Sequence, residues 1–290
     1  MKNVFISFAI GLLRLLAYLP EVFLKGLGLF SAWLLYRVIG YRRQVVSLNI
    51  KHAFASLSDK VRRQLVKDYY RHLGTLLYEM VLGVRLSAKQ LVIRCTMHQS
   101  LTDLFQQFYH ANQDFIVLMG HTGNWEWSGL ATSSQVQHRV VALYRPIKNK
   151  QFDRFMFRYR TRTGMHLLPM HTITRAMVKK AEKPTCYTFI ADQSPVPEYA
   201  AWFPFFNQET AFFQGYELLA RRYQLPVVYV SQKKREKGGY DLYGELICMK
   251  PHQEEPMYVV KTFINLLERD IHQQPDQWLW SHRRWKHKRR

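Results

Sequence analysis

The chain has 290 residues, 48% of them hydrophobic, with 18 Phe, 17 Tyr and 7 Trp, so it has ample material for a core and disorder is excluded. Lys and Arg number 42 against 21 Asp and Glu, and the resulting +21 favours an anionic partner: nucleic acid, anionic lipid or an acidic carrier protein. Cys95, Cys186 and Cys248 lie 91 and 62 residues apart with no CxxC pair, which excludes a disulfide scaffold and a zinc-finger array and fits a reducing compartment.

The first element is an apolar stretch from Val4 to Ile39, interrupted by Arg14, Glu21, Lys25 and Arg37. It continues past Pro20 without a small-residue cleavage site, which argues against a secretory signal. Three arrangements are open: one spanning helix, two interfacial helices broken at Pro20, or a buried helical hairpin. The bases at Arg42 and Arg43 suit the cytoplasmic flank of a membrane segment. Residues 42 to 83 predict two helices. In the second, Ser58 is placed as an N-cap, and Val61, Leu65, Tyr69, Leu76 and Met80 recur mostly at intervals of four.

From about residue 113 the texture changes to short β-rich runs between helical segments: FIVLM (115–119), VVALY (140–144), TCYTFIA (185–191), PVVYVS (226–231) and LYGELICM (242–249). The alternation predicts an α/β fold, a mixed central sheet flanked by helices. The expected division is 1–40 as a membrane-anchoring segment, 41–112 as a helical region and 113–290 as the α/β domain. At the end, WLWSHRRWKHKRR sets Trp278, Trp280 and Trp285 among bases, six of which fall in the last ten residues. Indoles beside Arg and Lys predict a membrane-interface role for 278–285, with a solvated end at 286–290.

Chemistry concentrates in DFIVLMGHTGNWEWSGLA, residues 114–131. An apolar strand ends at Gly120, His121 follows, and a helix opens near Trp125 with Glu126 in its first turn. Across a strand-to-helix turn a carboxylate can reach back to one imidazole nitrogen and leave the other free as a base, while the helix N-terminus offers N–H groups to an oxyanion. On spacing alone, Glu126 could equally serve the helix dipole and His121 be an ordinary strand-end residue. There is no G-x-S-x-G elbow, HExxH, Walker A or G-x-G-x-x-G, and the 12 histidines are scattered, so neither a catalytic metal nor a nucleotide cofactor is expected.

The segment GHTGNWEW resembles the H-x4-(D/E) box of the lysophospholipid acyltransferase superfamily. YRPIKN (144–149), FRYRTRTG (157–164), ADQSP (191–195), WFPFFNQETAFFQGYELLA (202–220) and PDQWLWSHRRWK (275–286) follow in the order of its bacterial lipid A late acyltransferase branch. The resemblance spans essentially the whole chain. It implies His121 as general base, Glu126 as its orienting carboxylate, Asp192 as a site residue, and a site arginine at Arg160 or Arg162, with Arg145 a weaker candidate. It further implies a membrane-bound enzyme on the cytoplasmic face of the inner membrane, without metal or cofactor. That enzyme would move an acyl group from acyl carrier protein or coenzyme A to a lipid A precursor, with a lysophospholipid or aminoacyl lipid as competing acceptors. Anionic membrane lipids complement the charge. A nucleic-acid-binding protein would leave the H-x4-E box unexplained. Where the family commonly has glycine after Pro-Phe-Phe, this chain has Asn207, which tolerates positive φ, so the turn is expected to persist.

Overall fold

The computed structural model describes residues 2–179 and 181–289, with side chains from Ile6 onward. Two apolar helices open the chain, α1 (Lys2–Leu16) and α2 (Glu21–Trp33), the second running on as a π-helical turn at Leu34–Val38. The break falls at Pro20, whose ring cannot be accommodated inside a helix. Among the described residues no single helix is long and apolar enough to cross a membrane; the segments Glu21–Val38 and Arg43–Ala53 pass together by length and composition, but with a 90° bend between them. Only Leu24, Gly28 and Ala32 of α2 are buried, while Val22, Phe23, Leu29, Phe30 and Trp33 remain exposed.

Next come α3 (Arg43–Ala53) and α4 (Asp59–Gly83), the two helices expected between 42 and 83, and the Ser58 hydroxyl accepts from Val61 N–H as the N-cap. The buried stripe of α4 differs from the apolar spacing: Leu65, Val66, Tyr69 and Tyr70 turn inward, whereas Val61 and Met80 are exposed. Helix α2 crosses α4 at two glycines, and a methyl group on Gly28 would meet the Gly74 carbonyl oxygen at 2.6 Å. Small residues there let the backbones touch, so the arm is held to the domain by shape as well as by the Glu21–Arg94 ion pair.

The remaining elements are α5 (Ala88–Arg94), β1 (Cys95–Met97), α6 (Gln99–His110), β2 (Phe115–Met119), α7 (Trp125–Ser133), β3 (Arg139–Tyr144), α8 (Lys150–Thr161), β4 (His166–Pro169), α9 (Ile173–Val178), β5 (Thr185–Ile190), β6 (Ala200–Phe205), β7 (Gln208–Phe213), α10 (Gly215–Tyr223), β8 (Val227–Lys234), β9 (Tyr240–Cys248) and α11 (Tyr258–Gln273). Seven strands form one sheet in the order β1-β9-β8-β2-β5-β3-β4. It is mixed, because β8 and β9 pair antiparallel while β8, β2, β5, β3 and β4 run parallel. The segment 41–112, read as helical, thus also supplies an edge strand, β1, parallel to β9.

Central strands buried on both faces read as continuous apolar runs, and all five residues of β2 are buried. Ile116 and Leu118 pack on one face with α10, α11 and the hairpin β6–β7; Val117 and Met119 pack on the other with α6 and α7. The hairpin closes through Phe206 and Asn207 at φ 49° and 56°, the left-handed pair of a two-residue turn. Asn207 therefore keeps the turn as expected. Phe206 adopts the same region although it is aromatic, held there by its ring packing against Phe54 and Trp280.

Candidate active site

Strand β2 delivers its carboxyl end to Gly120 and His121, and Gly123 turns the chain into α7 with φ 54°. A Cβ on Gly123 would lie 2.9 Å from Gln232 Oε1, so the turn needs glycine for both conformation and space. Asn124 caps α7, its Oδ1 accepting from Trp127 N–H at 3.0 Å, and its Nδ2 donates to the buried Glu79 carboxylate at 2.8 Å. Burial raises the Glu79 carboxyl above its ordinary value, and Tyr240 donates to the same oxygen.

Beside this turn ends β5. Met119 and Ile190 are register partners, so two residues further on His121 and Asp192 stand level just past the ends of adjacent parallel strands. Asp192 Oδ1 lies 2.5 Å from His121 Nδ1, and its Oδ2 accepts from the His121 backbone N–H at 2.9 Å and from the Trp278 indole at 2.7 Å. Burial alone would raise the Asp192 carboxyl, but the imidazole and these donors outweigh it and hold it at about 2. An ionised Asp192 can only accept, which makes Nδ1 the donor of this pair, and Nε2 lies on the other side of the ring, 3.3 Å from the Gln193 side-chain nitrogen.

Glu126 does not reach the imidazole. Its oxygens take the Arg160 guanidinium in a two-pronged pair, Nε at 2.9 Å and Nη2 at 2.5 Å. The reason is directional: Glu126 leaves the first turn of α7 toward α8, whereas Asp192 rises beside His121 from the neighbouring strand. Burial would lower the Arg160 guanidinium, yet the Glu126 pair keeps it above its ordinary value. Arg162 lies elsewhere, donating to the Val84 carbonyl at 2.9 Å and stacked over Tyr159. Arg145 is exposed at the cavity wall.

His121, Glu126, Arg145, Arg160 and Gln193 border one cavity of about 330 Å³, which runs inward between the sheet and the pair α6 and α7. Its interior is apolar, with Phe105, Val117, Met119, Cys186 and Val230 among its walls. A histidine paired with an ionised carboxylate and a bidentate arginine thus border one apolar space, an arrangement suited to moving a proton beside a hydrocarbon chain. Among the described residues no group of three or more His, Cys, Asp or Glu side chains could hold a metal ion.

The profile of the bacterial lipid A biosynthesis acyltransferase family matches residues 1–287. The chain belongs to this family. It is similar to the lipid A biosynthesis lauroyltransferase of Escherichia coli (strain K12), 25% identical over 284 residues, covering 96% of this chain and 90% of the relative. The palmitoleoyltransferase of the same strain and the lipid A biosynthesis acyltransferase of Shigella flexneri are each 23% identical over 281 residues, with the same coverage. The protein is accordingly an acyltransferase.

One part of the acyltransferase departs from expectation. Trp278 and Trp280, assigned to the membrane interface, are 1% and 0% exposed, and Trp285 is half-buried with its indole on Thr210 Oγ1. They enter the core because the segment after α11 runs back alongside the histidine turn. Leu279 N–H donates to the His121 carbonyl, Gly123 N–H donates to the Gln277 carbonyl, and Asn49 and Tyr69 fix the following residues. Lys286, Lys288 and Arg289 are exposed, and Arg290 lies outside the described residues. Composition could not separate a buried indole from an interfacial one; the tie from Trp278 to Asp192 was invisible for that reason.

Proposed function

We propose that this acyltransferase moves a fatty acyl group from an acyl thioester to a hydroxyl of a lipid A precursor, with His121 as general base and Asp192, rather than Glu126, as the carboxylate that orients it. The observation that carries the reading is the Asp192–His121 pair at the end of an apolar cavity whose wall also holds the Glu126–Arg160 pair. Nε2 takes the hydroxyl proton as the oxygen bonds to the thioester carbon. The carbonyl electron pair moves onto its oxygen, facing Arg160 and the N-terminus of α7. When the C=O re-forms the C–S bond breaks, and the proton on Nε2 passes to the departing sulfur, leaving an ester and a free thiol. Glu126 sets the angle of Arg160, and the cavity takes the donor's hydrocarbon chain. No metal or redox group is required.

The donor we favour is acyl carrier protein over coenzyme A, since an acidic carrier complements a charge of +21. The phosphates of the acceptor and anionic lipids draw on the same bases. The exposed apolar residues of α1 and α2 would attach the enzyme to the cytoplasmic face of the inner membrane as an interfacial pair broken at Pro20. The test is mass spectrometry of total lipids, including lipid A, from cells lacking the protein and cells complemented with wild type or His121→Ala. Wild type restores one acyl group on lipid A and His121→Ala does not; an altered lysophospholipid or aminoacyl lipid with unchanged lipid A overturns the acceptor.

A further inference from the structure

Transfer of a fatty acyl chain to an acceptor that itself bears acyl chains needs two apolar sites whose ends converge on the reacting atoms, and the cavity beside His121 accounts for one. On the opposite face of the sheet lies a second apolar groove, of about 300 Å³, lined by Leu143, Ile173, Phe189, Leu218 and Leu219, with Thr174 and Arg222 among its polar residues. The separation follows from the alternation of strand side chains: Ala142 and Ile190 face the cavity, whereas Phe189 faces the groove. Two residues line both spaces, Leu143 near the end of β3 and Met170 just past the end of β4. Cavity and groove therefore meet over the carboxyl edge of the parallel strands, the edge from which β2 and β5 present His121 and Asp192.

The two spaces differ in kind. The cavity runs inward among buried residues such as Val117 and Met119. The groove is open, with Leu218 55% and Met170 43% exposed, and carries an exposed cation, Arg222. A contiguous apolar groove that meets a reaction site calls for an occupant, unlike single scattered leucines. That occupant must be apolar, must reach over the strand edge to His121 and should carry negative charge to suit Arg222. A phosphorylated lipid that already bears acyl chains meets all three conditions.

We infer that this groove holds a hydrocarbon chain of the acceptor lipid while the cavity holds that of the donor, an assignment that rests on the acyl-transfer reading above. The two chains lie on opposite faces of the sheet, and their reactive ends meet at its edge.

The experiment compares wild type with Leu218→Glu and, as a second exposed position lining the groove, Thr174→Glu. The donor is the dodecanoyl thioester of acyl carrier protein, and the acceptors in mixed micelles are a lipid A precursor and its analogue with hexanoyl chains. Losing the burial of about two methylenes corresponds to roughly tenfold in affinity. Each variant raises the KM for the long-chain acceptor about tenfold, while the KM for the hexanoyl analogue, the donor KM and acceptor-free thioester hydrolysis stay at wild-type values. Unchanged KM for the long-chain acceptor, or equal shifts for both acceptors, overturns the groove assignment. Wild type that transfers to neither acceptor overturns the acyl-transfer reading itself, and the groove assignment with it.

Discussion

Asp192 reaches His121 through strand register: Met119 and Ile190 are partners on parallel strands, so the two side chains rise together past the sheet edge, 71 positions apart in the chain. The carboxylate lies 2% exposed and accepts from three donors, two on His121 and one on Trp278.

A carboxyl held at about 2 against an ordinary 3.8 contributes stability that is complete above the unfolded-state value and lost as pH falls from about 4 to about 2. Asp192→Asn lacks this contribution at every pH. Its Tm lies below wild type at neutral pH, and the difference narrows on acidification through that window. Thermal melts from pH 7 to pH 2.5 followed by circular dichroism check this; parallel curves would show that Asp192 does not titrate with folding.

The two arginines near Gly164 separate by geometry. Only Arg160 forks onto Glu126, and a lysine cannot reproduce two parallel N–H···O bonds. Arg160→Lys lowers kcat/KM by about 10²-fold, the scale for losing one donor to a developing oxyanion. Arg162→Lys, at a position that touches a carbonyl of another loop, stays near wild type. Steady-state kinetics of the two purified variants decide it, and the opposite ranking would move the site arginine to Arg162.

The fold was more legible than the site. The runs at 115–119, 140–144 and 185–191 are legible because strands with helices on both faces are rich in apolar and β-branched residues. β1 and β4 are three and four residues long, too short to show a period, and β6 contains Pro204, which argues against a strand except at an edge. His121 and Glu126 stood out through local chemistry, but which carboxylate meets the imidazole is decided by a contact between distant segments. Spacing leaves the role of Glu126 open and the resemblance assigns it to the imidazole; neither sees that Asp192, 71 residues away, comes level with His121.

Trp278→Phe tests the tie from the segment that follows α11. Phenylalanine keeps an aromatic ring in the core and deletes the indole N–H on Asp192. A hydrogen bond to an ionised group is worth about 1.5–3 kcal/mol, so stability falls by that order. On the proposed mechanism, in which Asp192 orients His121, kcat drops about tenfold with the acceptor KM unchanged. A variant that loses stability while keeping full kcat would confine Trp278 to packing.

Helix α2 offers a paired test of the crossing with α4. Gly26 is exposed, and a methyl group placed on it would meet nothing within 4 Å, so Gly26→Ala should raise stability by roughly 0.5–1 kcal/mol through helix propensity alone. Gly28→Ala drives a methyl group into the Gly74 carbonyl and should lower stability by about 1–3 kcal/mol. Denaturant titration of both variants gives the two signs; equal effects would mean that the helices are not locked together at Gly28.

The hydrogen bonds from the segment at 277–279 to the histidine turn also fix an order of events during synthesis. Chains emerge from the N-terminus, so the apolar helices α1 and α2 leave the ribosome long before the segment that donates to the His121 carbonyl exists. A nascent chain paused before Gln277 carries the histidine, the glutamate and both arginines, yet lacks Trp278 on Asp192 and the backbone brace at Leu279. Translation must therefore pass Leu279 before the site is complete, by which time the apolar arm has had the synthesis of everything between them in which to find its place.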